Sequence, residues 1–87
     1  MKDNTSILIL DDVRTEAELV ERELKRSKLK FTSKLVHDRD SFMKELIDFS
    51  PGLILSDYAM PHFTGMDALK IVVEQYPDIP IKIPLLR

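Results

Sequence analysis

Eighty-seven residues allow one domain at most, and a chain this short buries only somewhat more than the roughly 60% of unfolded surface expected for 60 residues, so marginal stability is expected. Apolar residues at 44% and charged residues at 32% are the balance of a folded chain, and the absence of cysteine excludes disulfides and thiolate metal sites. Thirteen basic residues against fifteen acidic ones leave a net charge of -2, without the basic excess that nucleic-acid binding uses.

The segment Met1-Lys2-Asp3-Asn4-Thr5-Ser6 is polar and leads into only four apolar residues. That is too short for a signal-peptide core or a membrane span, so an unexported, cytoplasmic protein that makes no membrane contact is expected. Ile7-Leu8-Ile9-Leu10 is apolar without alternation, as in a parallel strand covered on both faces, and stops at Asp11-Asp12. From Arg14 to Ser27 the spacing becomes helical, with Ala17, Val20 and Leu24 on one face and Thr15-Glu16-Ala17-Glu18 resembling a capping box. The basic run Lys25-Arg26-Ser27-Lys28-Leu29-Lys30 falls where that helix ends and complements its dipole.

Phe31 to Val36 alternates and reads as a strand nearer the sheet edge. Asp38 or Asp40 caps a second helix, which turns Phe42, Met43, Leu46, Ile47 and Phe49 toward the core and ends at Pro51-Gly52. Leu53-Ile54-Leu55 is a second buried strand, delivering Ser56 and Asp57 at its carboxyl end. Tyr58 to Thr64 is a loop; Gly65 opens a third helix with Met66, Leu69, Val73 and Tyr76 at helical spacing, closed by Pro77 and Pro80. The alternation of strand and helix predicts an α/β fold of the flavodoxin-like type, a doubly wound parallel sheet with strand order 2-1-3-4.

In that order strands 1 and 3 flank the topological switch point, outside whose carboxyl ends ligands of open α/β sheets bind. Asp11, Asp12 and Asp57 therefore meet in one crevice. Taken singly, Asp12 is an ordinary helix cap and Asp57 an ordinary turn residue. Together they repel, by about 4 kcal/mol per pair at 4 Å and an effective dielectric of 20, so a raised pKa or a bound cation must compensate. An oxygen-only site with few protein ligands suits Mg²⁺. Beside such an ion a carboxylate can attack a phosphoryl group in line, and Asp57 is the best placed to do so.

Ile7 to Asp12, then Leu53-Ile54-Leu55-Ser56-Asp57-Tyr58-Ala59-Met60-Pro61, then Gly65-Met66-Asp67-Ala68-Leu69 together resemble a response regulator receiver domain over about Ile7 to Ile81. The resemblance implies a phosphoryl acceptor of a two-component phosphorelay, not an enzyme. Asp57 would take phosphate from a phosphohistidine on a sensor histidine kinase or phosphotransfer protein. Asp11, Asp12 and Asp57 would serve the Mg²⁺ site, with the Ala59 carbonyl as a further ligand. Met60-Pro61 and Gly65 would shape the loop over it.

The resemblance also implies elements that residues 1–87, a single partial domain in this light, do not contain. These are a strand ending in Ser or Thr, a helix, a fifth strand ending in Lys-Pro and a last helix. Leu85 falls near the place of the hydroxyl, and leucine donates no hydrogen bond. Lys82 sits inside Ile81-Lys82-Ile83-Pro84, where an edge-strand lysine faces solvent, and Pro84 suits only an edge or a tail. Impaired signalling output is expected, and the alternative role is a non-catalytic module that dimerises or swaps through an exposed strand 4 edge. Asp11-Asp12-Val13-Arg14-Thr15 is a poor match to haloacid-dehalogenase-type phosphatases, because Val13 stands where their second acid is needed. His37 and His62 lack a second histidine at ligand spacing and read as ordinary polar residues.

Overall fold

Ile7, Leu8, Ile9 and Leu10 are each at most 2% exposed, as a strand must be when helices cover both of its faces. The computed structural model describes residues 4–83. In chain order these form β1 (Thr5–Leu10), α1 (Arg14–Arg26), β2 (Phe31–Val36), α2 (Arg39–Asp48), β3 (Leu53–Ser56), α3 (Gly65–Gln75) and β4 (Ile81–Lys82). All pairings are parallel and the order is β2-β1-β3-β4, as the alternating pattern predicts.

Successive residues of a strand face opposite sides, so β1 feeds two cores. Leu8 and Leu10 pack with Val36, Ile54, Phe42 and Leu46 of α2, and Ala68 and Val72 of α3. Ile7 and Ile9 pack with Ala17 of α1 and the partly buried Val20, Leu24, Leu35, Leu53 and Leu55. Two helices thus cover one face and α1 covers the other.

Four local expectations change. α1 is not capped by Thr15: its N-cap is Val13, which has no side-chain hydrogen bond to offer. α2 exposes Ile47, 70% accessible, while Phe42 and Leu46 are buried; Ile47 lies one step off the 3.6-residue stripe. α2 stops at Asp48 because Ser50 takes a left-handed conformation, φ 53°, and Pro51 disfavours helical backbone in the residue before it. In α3 the inward stripe is Gly65, Ala68 and Val72, and Met66 and Val73 are exposed. Ala68, fully buried, packs in one cluster with Leu8, Leu10 and Ile54 of the sheet.

Other local features stand as read. Lys25 and Arg26 occupy the last turn of α1, and Lys28 beyond it is left-handed, φ 66°. Asp38 caps α2 by accepting the Ser41 N–H at 2.8 Å. Lys82 is exposed and pairs in register with Leu55. Pro84 and Leu85 lie outside the described residues.

The α3 cap was not foreseen. Thr64 Oγ1 accepts the Asp67 N–H at 3.1 Å, and Asp67 Oδ2 accepts the Thr64 N–H at 3.1 Å. This reciprocal box satisfies two donors at the start of the helix. Thr64→Ala is expected to lower unfolding free energy by about 1 kcal/mol, measurable as an earlier urea midpoint at unchanged slope.

Candidate functional site

Leu10 of β1 stands opposite Ser56 of β3, so both strands end at the same level. The ladder continues one residue further: the Asp57 N–H donates to the Leu10 carbonyl at 2.8 Å, and the Asp11 N–H donates to the Val36 carbonyl at 3.0 Å. These bonds fix where the two side chains leave the sheet. One carboxylate oxygen each from Asp11, Asp12 and Asp57 lies within 4.8 Å of the others. Among the described residues no lysine, arginine or histidine forms an ion pair with any of the three.

The carboxylates differ in surroundings. Asp12 is exposed, whereas Asp11 is only 9% exposed and accepts the Val13 N–H on Oδ1 at 2.9 Å. Burial pushes the Asp11 carboxyl up to about 6; the Val13 N–H works against this, while the Asp57 charge and Glu16 add to it. Asp57 Oδ2 is buried without a hydrogen-bond partner. An unpartnered buried carboxylate oxygen is costly. With a carboxylate oxygen of Asp11 and one of Asp12 within 4.8 Å of one of Asp57, a hard cation is the fitting partner, and this oxygen-only set fits Mg²⁺.

The loop after Asp57 is anchored at both ends. Ser56 Oγ donates to the Asp57 carbonyl at 3.0 Å, and the Gly65 N–H donates to the Tyr58 carbonyl at 3.2 Å. Between them Met60 and Phe63 are buried, and the Phe63 ring sits 5.6 Å from that of Phe42. Ala59 is exposed in this loop. The buried Phe63 was not anticipated in a loop; an apolar residue just before the Thr64/Asp67 capping box is the sequence signal that finds it.

Two cavities flank Asp12. One of about 300 Å³ lies toward α2 and includes His37, Arg39, Met60, Pro61 and His62. The other, about 260 Å³, includes Asp11, Asp12, Arg14, Ala17 and His37. His37 is exposed, 3.6 Å from the neighbouring Asp38 carboxylate. Neither histidine joins the carboxylate group at ligand distance. Glu16 beside Asp11 was missed, because only the start of α1 decides which side chain turns toward the crevice.

A family profile described as the response regulator receiver domain matches residues 7–83. The chain is 30% identical over 76 residues to the DNA-binding transcriptional regulator NtrC of Proteus hauseri, an alignment of 87% of this chain and 16% of that protein. The fold is similar to the apo receiver domain of nitrogen regulatory protein C, with TM-score 0.77 and 24% identity, over 94% of this chain and 64% of that one. It is also similar to the signal receiver domain of NarL from Mycobacterium tuberculosis, with TM-score 0.71 and 20% identity over the same shares. The chain therefore spans about a sixth of the curated relative and under two thirds of these receiver structures.

Proposed function

The chain belongs to the response regulator receiver domain family, and on that premise we propose that Asp57 accepts a phosphoryl group from a phosphohistidine, with Asp11 and Asp12 holding Mg²⁺ beside it. The observation that supports this is the meeting of three carboxylates, one oxygen of each within 4.8 Å of the others. Mg²⁺, when bound, neutralises the equatorial phosphoryl oxygens. Asp11 and Asp12 would supply its side-chain ligands with Asp57, and the Ala59 carbonyl a backbone ligand.

The residues themselves do the rest. The Asp57 N–H bond to Leu10 and the Ser56 hydroxyl on the Asp57 carbonyl hold the acceptor backbone still, so its carboxylate is aimed before the donor arrives. A carboxylate oxygen of Asp57 attacks phosphorus, the phosphorus–nitrogen bond of phosphohistidine breaks, and the electron pair leaves with the imidazole. The donor is a sensor histidine kinase or a phosphotransfer protein. Lys82 forms no ion pair with Asp11, Asp12 or Asp57, so acceptance of the group does not by itself include a relay of the change.

Incubation with Mg²⁺ and a small acyl phosphate or phosphoramidate should add one phosphate to the intact protein. No gain in mass would defeat the proposal. Among the described residues β4 is the last strand in the sheet order, and this motivates a second reading as a module that self-associates through that edge. Light scattering across a dilution series tests it, a purely monomeric species counting against it.

The Asp11 carboxyl makes metal binding pH-dependent. Its folded pKa of about 6 lies above the ordinary 3.8, so the stability it contributes to the metal-free protein is present below 3.8 and lost as pH rises through about 6. Mg²⁺ needs the deprotonated form. Its affinity is expected to fall as pH drops below about 6, and calorimetric titration at pH 5 and pH 7.5 checks this. Equal affinities would remove Asp11 from the site.

A further inference from the structure

We infer that Lys34 and Glu45 are positioning residues for the loop that follows Asp57, acting through α2 and Phe42. The inference rests on Asp57 as the acceptor, because only then does the setting of that loop bear on the chemistry. It starts from a buried charge that the site does not use. Glu45 is among the buried residues of α2, and its Oε1 has no hydrogen-bond partner. Its other oxygen, Oε2, accepts from Lys34 Nζ of β2 at 3.2 Å. Lys44 stands further off, at 3.9 Å, and is itself 2.9 Å from Asp48. A buried carboxylate deprived of its cation is strongly destabilising, whereas replacing both partners is often close to neutral. Lys34 therefore decides how α2 sits on β2, the end strand of the sheet.

The seat of α2 reaches the site through direct contacts. Phe42 lies three residues before Glu45, on the same buried side of the helix. Its ring is fully buried and meets that of Phe63, 5.6 Å away. Phe63 belongs to the loop between Asp57 and Gly65 that also carries Ala59, and Met60 of this loop shares one core with Phe42 and Leu46. Interiors are close-packed, so a helix that shifts carries its contacts with it. The start of α2 adds a further link: Asp38 and Arg39 line the cavity of about 300 Å³ together with Asp12, Met60 and Phe63. Lys34 and Glu45 line neither cavity beside Asp12, so their effect passes through packing.

The test uses the whole chain at a temperature where every variant is folded, reading the Phe63 ring resonances by NMR and Mg²⁺ affinity by calorimetry. Lys34→Ala should move the Phe63 resonances and weaken Mg²⁺ binding by about threefold to tenfold. Lys34→Arg should keep both near wild type. The double variant Lys34→Ala, Glu45→Gln should recover both, because no buried charge is left without its partner. Leu24→Ala, which loosens α1 instead, should lower the melting temperature and leave Phe63 and Mg²⁺ affinity unchanged. Unmoved Phe63 resonances in Lys34→Ala, or the same changes in Leu24→Ala, overturn the inference while leaving Asp57 as acceptor. A wild-type protein that binds no Mg²⁺ overturns both.

Discussion

Asp57→Asn is expected to abolish phosphate incorporation and, in the absence of metal, to raise the melting temperature. The amide has nearly the size of the carboxylate but is no nucleophile, so incorporation from a small phosphodonor should drop below detection. The stabilisation follows from charge. Asp57 has two carboxylates within 4.8 Å and a buried oxygen without a partner. At an effective dielectric of 20, a pair of unit charges about 4.8 Å apart repels by about 3.5 kcal/mol before solvent screening. Solvent around the exposed Asp12 reduces this, leaving a relief on the order of 1 kcal/mol. For a domain of this size that is about 4–8 °C. Adding Mg²⁺ should reverse the order, because the wild type gains the binding free energy of the ion and the variant loses a ligand. Thermal melts with chelator and with Mg²⁺ check both halves. A variant that still takes up phosphate, or melts lower without metal, would contradict the site as described.

Gly65→Ala is expected to destabilise the fold and disorganise the loop after Asp57 together. A Cβ at Gly65 would lie 2.8 Å from the Asp57 carbonyl oxygen and 3.1 Å from Tyr58 Cα. Both are backbone atoms, so neither can turn aside as a flexible side chain would. The chain after Asp57 has to move, and overpacking of this kind costs about 1–3 kcal/mol. Alanine is the better helix former, so helix propensity pulls the other way. A measured loss therefore reports the close approach itself. Urea unfolding should show the destabilisation and Mg²⁺ titration a weaker affinity. A variant as stable as wild type with unchanged affinity would show that the loop does not depend on this contact.

The sheet was legible because its signals are strong and redundant. Four unalternating apolar residues in β1, alternation in β2 and the apolar run of β3 each fit one strand environment, and right-handed crossovers then leave few orders. The meeting of Asp11, Asp12 and Asp57 followed from that order alone. Helix faces were read less well. Met66 and Val73 fit apolar periodicity yet are exposed, because the buried stripe of α3 is Gly65, Ala68 and Val72 and periodicity weighs bulk, not fit; Ile47 of α2 lies one step off its stripe and is exposed as well.

Contacts between distant elements were beyond reach. Lys34 of β2 reaches Glu45 of α2 at 3.2 Å although Glu45 is only 9% exposed, and nothing local in either segment announces it. The Ser33 hydroxyl of β2 donating to Glu21 of α1 is of the same kind. The surroundings of Asp11 were half legible. Its crowding by Asp57 followed from topology, but its burial and the approach of Glu16 depend on how Val13 turns the chain into α1.

The most direct measurement locates the phosphate. The chain, incubated with a small phosphodonor, would be reduced with borohydride, digested and sequenced by mass spectrometry, with and without Mg²⁺. One reduced residue at Asp57, present with Mg²⁺ and absent with chelator, is the predicted result. Phosphate at Asp11 or Asp12, or incorporation that chelation leaves unchanged, would contradict an acceptor at Asp57 served by its two neighbours.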